Sequence, residues 1–230
     1  MSSIWATTIS TSPPSCASDE VAARLAAVRQ RIVEAGGDPA TVRVLAVTKG
    51  FGADAVLAAR AVGLDELGEN YAAELRAKAP GPEGTRWHFL GAVQRNKVRA
   101  LAPLVDVWQG VARLAEGQRI AACAPGAQVL VQVDCTGLPG RNGCPPDRVP
   151  DLVRQLSGLE LAVTGLMTVA PQGGGAAAAF RQVADLADAL GLPERSMGMT
   201  DDLEDAVAAG STMVRIGRAL FGERSPKVVG

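Results

Sequence analysis

RSMGMTDDLEDAVAAGSTMVRIGRALFG, residues 195–222, reads as two short apolar strands, each carried into a helix through a turn containing Gly, Ser or Thr. The two strands are RSMGM (195–199) and TMVRIG (212–217). Towards the N-terminus the same unit recurs. The candidates VRVLAV (42–47), ELGE (66–69), WHFLG (87–91), DVWQGV (106–111), QVLVQVD (128–134) and LAVTGLMTV (161–169) are each followed by enough residues for a helix. Eight β/α units in about 180 residues, with no break in composition, predict a single (β/α)8 TIM-type barrel rather than an open doubly wound sheet. Ahead of the first strand, Val21, Leu25, Val28 and Ile32 recur at helical spacing between Asp19 and Ala35, with Ser18 as the cap and Gly36 and Gly37 as the stop. This extra helix is amphipathic, and the mixed charge of its polar face points to packing on the protein body rather than to a membrane. The expected layout is a flexible tail over 1–17, a barrel over 18–225 and a second tail over 226–230.

Composition narrows the function. Of 230 residues, 47 % are apolar and 20 % charged, ordinary values for a globular chain able to bury a sizeable core. The formal net charge of −1 steers neither nucleic acid nor an anionic membrane, so any bound anion must meet a local site. Four cysteines without CxxC spacing fit a reducing, cytoplasmic compartment, and the first twenty residues lack the pattern of a signal peptide or membrane anchor. His88 is the only histidine, which excludes multi-histidine metal catalysis, and no metal is expected. No G-x-S-x-G elbow is present. Gly173-Gly174-Gly175 lacks the Walker lysine and reads as a loop, as does Gly137 to Pro146 after the fifth strand.

Lys49 follows the first strand and shares parity with Leu45 and Val47, which places it at the strand's C-terminal end. That is the face on which barrels carry their active sites, and a lysine partly desolvated there supplies a neutral amine for a carbonyl. In isolation it reads more readily as a snorkelling surface lysine, and other residues must shift that reading. The last two units add weight, because loops after strands seven and eight of a barrel commonly bind phosphate. There Thr200 offers a hydroxyl or a helix cap together with Asp201, Gly217 lets the backbone approach closely, and the Arg218 N–H opens the final helix. Arg215 lies within an apolar strand, where its guanidinium requires either a ligand atom or a carboxylate such as Asp134. Arg95, Lys97 and Arg99 read as a solvated helix face.

Taken together, VRVLAVTKG, LGENYAAEL, WHFLGAVQRNK, VLVQVD, GLMTVAP, SMGMTDDLEDAVAAGSTMVRIG and ALFG resemble, in order and spacing, the pyridoxal phosphate homeostasis proteins. That family has a fold similar to the barrel domain of bacterial alanine racemase, and the resemblance covers about Val21 to Gly222. It implies that Lys49 forms an internal aldimine with pyridoxal 5′-phosphate (PLP). Thr200, Gly217 and the Arg218 backbone would hold the phosphate, with Ser196 and Asn70 close by and Arg215 facing the pyridine nitrogen. An arginine keeps its proton, so the ring nitrogen stays unprotonated and carbanion chemistry is restrained. Trp87 and His88 read as structural. The chain departs from the family pattern at Thr48, Gly50, Arg95, Thr200 and Arg218. At 218 a threonine hydroxyl is replaced, so either the backbone N–H suffices or the guanidinium turns to the anion.

The resemblance implies a monomeric protein of vitamin B6 homeostasis that buffers PLP and delivers it to PLP-dependent apoenzymes, without robust catalysis and so with no catalytic residue. The alternative is a PLP-dependent amino-acid racemase. Alanine racemase takes its second acid/base, a tyrosine, from an additional C-terminal domain, whereas Tyr71 is the only tyrosine here. A third reading is a sugar-phosphate or indole-phosphate barrel in which Lys49 is a simple cation.

Overall fold

The computed structural model describes residues 15–223, with side chains from Ser18 onward. Residues 1–14 and 224–230, which hold most of the expected N-terminal tail and all of the C-terminal one, lie outside the described residues, as does the Cys16 side chain. The strands are β1 (Arg43–Val47), β2 (Glu66–Glu69), β3 (Arg86–Phe89), β4 (Val107–Val111), β5 (Gln128–Val133), β6 (Ala162–Thr168), β7 (Glu194–Ser196) and β8 (Met213–Ile216). They pair in chain order, all parallel, and β8 pairs with β1 to close the barrel. Each lies within a residue or two of its expected place, except that β7 ends at Ser196 rather than at Met199. Gly198 explains the early stop, because its φ of +91° turns the chain out of the ladder.

The helices are α1 (Ser15–Glu34), α2 (Ala53–Ala61), α3 (Ala72–Lys78), α4 (Arg95–Leu101), α5 (Leu114–Cys123), α6 (Val149–Ser157), α7 (Ala176–Ala189), α8 (Leu203–Ala208) and α9 (Arg218–Phe221). The period-two pattern of each strand sorts its residues between two cores. Ala46, Leu67, Phe89, Trp108, Val131, Leu166 and Ile216 join the main cluster, shared with the helices. Leu45, Val47, Leu90 and Met213 form a separate cluster inside the barrel, and Val107, Leu130 and Met167 form another. The interior is tight: a Cβ on Gly68 would stand 2.8 Å from Leu90 Cδ1. Emptying a main-core position such as Trp108, which is fully buried, costs about 3–5 kcal/mol.

The extra helix packs as its stripe predicts, with Val21, Leu25, Val28 and Ile32 all buried. It begins at Ser15, so Ser18 lies inside its first turn instead of capping it. Its contacts are with α2, α8 and α9, and its arginines reach the chain around the last two strands. Arg31 donates to the Thr200 carbonyl at 2.8 Å and pairs with Glu204 at 2.6 Å, while Arg24 donates to the Leu220 carbonyl at 3.3 Å. No helix among the described residues is long and apolar enough to cross a membrane.

Candidate functional site

The C-terminal ends of the strands open onto a cavity of about 600 Å³. Lys49, Asn70, Thr200, Arg215, Gly217 and Arg218 all line it, so closure brings together six of the seven expected site residues. Ser196 is not on the wall. It is fully buried, its hydroxyl accepting from Arg215 Nη1 at 3.1 Å and donating to Gln109 Oε1 at 2.7 Å.

Arg215 reaches the cavity because residue 215 shares the inward parity of Met213 on β8. Its Nη1 donates to the Ser196 carbonyl at 2.5 Å and its Nη2 to the Thr168 carbonyl at 2.7 Å. Asp134 is not its partner: that carboxylate accepts the amide and hydroxyl of Thr136 inside its own loop. Among the described residues no carboxylate comes within ion-pair range of Arg215, although it is only 5 % exposed. Burial pushes its pKa down to about 10, with Asp202 pulling the other way, so the side chain is still cationic at neutral pH.

Below Arg215, Ser196 leads to a buried polar chain. Gln109 Nε2 lies 2.7 Å from His88 Nδ1, and His88 Nε2 lies 3.6 Å from Glu66 Oε1. With Gln109 oriented to accept from Ser196, its amide donates to Nδ1 and the histidine proton sits on Nε2. His88 is therefore an internal hydrogen-bonding residue and Trp87 a core residue, as read from sequence.

Lys49 is half-buried, with its Nζ 5.6 Å from the centroid of the Tyr71 ring, within cation–π range. Tyr71 does not line the main cavity. Behind Lys49 lies a cluster that sequence reading missed. Lys78, 4 % exposed, donates from Nζ to the Thr48 carbonyl at 2.7 Å, to Glu69 Oε1 at 2.5 Å and to Glu74 Oε2 at 3.1 Å. Burial pushes the Glu69 carboxyl up, against the pull of Lys78 and Thr48. The available signal was the i, i+4 pair Glu74 and Lys78 on a helix that starts just after Glu69.

The end of the cavity expected to take a phosphate is not built from a pair of helix dipoles. Helices α8 and α9 have six and four residues, too short for a substantial macrodipole, which leaves hydroxyls, backbone N–H groups and side-chain cations as anion ligands. Neither Thr200 nor Asp201 caps α8. Asp202 occupies that position, and its carboxylate accepts from the Met199 N–H at 2.6 Å instead. At Gly217, just past β8, the backbone runs close to the neighbouring β1, and a Cβ there would stand a tight 3.0 Å from the Val47 carbonyl oxygen. The Arg218 guanidinium is turned to Asp201, forming an ion pair on the cavity rim. Arg141, from the loop after β5, and the Gly173-Gly174 segment also line the wall and were not foreseen. Arg95, Lys97 and Arg99 are exposed on α4, away from the cavity.

Fold and site define a closed parallel β/α barrel with a cavity at its C-terminal mouth, lined by apolar side chains together with Lys49, Arg215 and Arg218. The sequence pattern of the alanine racemase N-terminal domain family matches residues 17–225. A pyridoxal phosphate homeostasis protein of Pseudomonas aeruginosa is 40 % identical over 220 residues, 90 % of this chain and 95 % of the relative. One of Deinococcus radiodurans is 41 % identical over 210 residues, 87 % of this chain and 99 % of the relative. PipY of Synechococcus elongatus, solved with PLP bound, superimposes with a TM-score of 0.75 at 33 % identity, covering 88 % of this chain and 100 % of that one. Alanine racemase of Clostridium difficile, at 16 % identity and TM-score 0.73, shares the fold, and the match covers 92 % of this chain and 59 % of that one. This chain belongs to the alanine racemase N-terminal domain family and, within it, to the pyridoxal phosphate homeostasis proteins.

Proposed function

We propose that this chain binds PLP reversibly through Lys49 and serves vitamin B6 homeostasis by holding the cofactor and handing it on to apoenzymes. The observation that carries this reading is an amine and a buried guanidinium without a carboxylate partner, both on the wall of one cavity. An uncompensated buried cation is costly, and a ligand acceptor atom offsets that cost. The residues fit the cofactor's parts. Lys49 stands where an aldehyde can be captured, Arg215 offers N–H groups to the ring, and Thr200 with the backbone at Gly217 and Arg218 offers donors to a phosphate. Asn70 borders the same space, while Ser196 acts from beneath by fixing Arg215. Lys49 would hold the cofactor by its neutral amine, and PLP would supply there an aldehyde able to condense with it reversibly, the carbonyl oxygen leaving as water.

Arg215 remains protonated at neutral pH, so it would donate to a ring nitrogen without protonating it, and the ring would stay a poor electron sink. That favours a carrier over a catalyst. So does Tyr71, the only tyrosine, which stands by Lys49 and off the cavity wall, where a racemase would need a second acid/base across the ring. We place the protein in the cytoplasm as a monomer, with residues 18–225 as one binding domain. The free thiols of Cys123, Cys135 and Cys144 support a reducing compartment.

The test is an absorption spectrum of the protein with PLP, followed by borohydride reduction and peptide mass analysis. A near-visible band, bleached by reduction, with the added mass on Lys49, is expected. A protein that stays colourless with PLP, or a tag elsewhere, overturns the reading.

A further inference from the structure

Lys78 has no part in the function just proposed, yet its ammonium is buried, and a buried ammonium is costly unless its surroundings are fully organised. One of its three hydrogen bonds goes to the segment around Lys49, and the other two go to carboxylates that themselves accept from that segment. The Thr48 carbonyl accepts one at 2.7 Å. Glu69 Oε1 accepts another at 2.5 Å, and the same oxygen accepts the Thr48 hydroxyl at 2.8 Å. Glu74 Oε2 accepts the third at 3.1 Å, and this oxygen also accepts the Gly50 N–H at 2.8 Å. The Thr48 carbonyl belongs to the peptide plane before Lys49 and the Gly50 N–H to the plane after it, so one ionic cluster holds both planes and thereby φ and ψ of residue 49.

The barrel does not need this cluster to pair its strands. The β1–β2 ladder runs through Ala46–Leu67 and Val47–Gly68 and extends to the Thr48 N–H on the Gly68 carbonyl at 3.0 Å, all before residue 49. Past that point the chain leaves the sheet, and Gly50 takes a left-handed φ of +76°. The Phe51 N–H closes this turn on the Thr48 carbonyl at 3.0 Å, and the cluster adds to that bond the two carboxylates that hold the peptide planes on either side of Lys49.

We propose that Lys78 is a positioning residue for Lys49: bridging Glu69 and Glu74, it locks the two peptide planes that flank residue 49 and so sets where the amine enters the cavity. This rests on the reading of Lys49 as the amine that captures PLP. Its consequence is selective. Loss of the clamp weakens the covalent step and spares recognition of the ring and phosphate, which involves the other walls of the cavity.

Two ligands separate the steps: PLP, and pyridoxine 5′-phosphate, which carries an alcohol where PLP carries the aldehyde. Lys78→Met is expected to lower the equilibrium constant for covalent capture about tenfold while changing pyridoxine phosphate affinity by less than about twofold. Glu74→Ala removes the Gly50 acceptor from a more exposed position and serves if Lys78→Met does not fold. Glu74→Gln keeps an acceptor and is expected to restore most of the capture. A ligand-free readout accompanies these: amide exchange at Gly50 should accelerate in Lys78→Met and Glu74→Ala but not in Glu74→Gln, with the Ala46 amide unchanged. The proposal is overturned if folded Lys78→Met and Glu74→Ala proteins capture PLP as the parent does. It is equally overturned if pyridoxine phosphate affinity falls in parallel, since the cluster would then only support the fold. A parent that never captures PLP at Lys49 sinks the underlying function instead, and that failure shows in the unmutated protein.

Discussion

At the N-terminal end of the barrel Arg43 reaches Glu66 and Glu194 at 3.0 Å each, and Arg86 reaches Glu66 at 3.3 Å, whereas at the other end Arg215 and Lys49 have no ion-pair partner among the described residues. Both ends present cations on inward-facing positions of the strands. At the base, Gln128 completes the layer by donating to Glu194 at 3.0 Å and to Thr164 at 2.9 Å, so the charge is matched within the chain. At the mouth, the Arg215 guanidinium has only carbonyl and hydroxyl oxygens as partners, which accept hydrogen bonds but carry no countercharge. The contrast separates a base whose charges are matched within the chain from a mouth whose Arg215 and Lys49 are not.

The largest effect that would break this comparison is at Lys49. Lys49→Ala is expected to abolish covalent PLP capture, read as loss of the near-visible band and of the borohydride-fixed mass, with the unfolding midpoint within experimental error of the parent. A band that persists would mean that another amine does the work. At Arg215, substitution by Gln removes a charged donor and is expected to weaken PLP and pyridoxine 5′-phosphate alike by about tenfold to a hundredfold, measured by titration. Equal affinities would place Arg215 among the structural cations of the base.

Glu66→Gln sharpens the contrast from the other side, since it should leave ligand affinity unchanged and cost stability. Burial alone would raise the Glu66 carboxyl, but His88, Arg43 and Arg86 together hold it below its ordinary value of 4.5. A carboxyl held low in the folded state stabilises the fold above the unfolded pKa, and that contribution is lost as pH falls through the folded one. At pH 7 the variant is therefore expected to be less stable by about 1 kcal/mol in urea titrations, with the gap to the parent closing as pH falls below the carboxylate range. A gap that persists in acid would show a packing defect instead. The smallest effect is expected at Arg218, which already faces Asp201. Arg218→Ala leaves that carboxylate unmatched on the rim, and PLP affinity should fall about twofold at low salt, with the difference vanishing at high salt.

Much of this molecule is readable one residue after another. Strand and helix alternation, the stripe Val21, Leu25, Val28 and Ile32, and the parity that puts Lys49 in line with Leu45 and Val47 are periodic features, and backbone geometry converts them into faces without reference to distant chain. The resemblance carried by the motifs then supplied expected roles for Thr200, Arg215 and Gly217, which periodicity could not suggest. Partner choice was not readable. Sequence left Arg215 between a ligand and Asp134, and closure decided it by seating β8 between β7 and β1, where Ser196 and Thr168 carbonyls meet the guanidinium and Asp134 does not. Ser196 was expected close to the phosphate, and the register of β7 seats its hydroxyl under the guanidinium, joined to Gln109 across 87 residues. The Lys78 clamp spans 30 residues to reach Thr48. Alternation is a local consequence of side-chain pattern, but which polar groups meet depends on ring closure and inter-strand register, and those are set by the packing of all eight units at once.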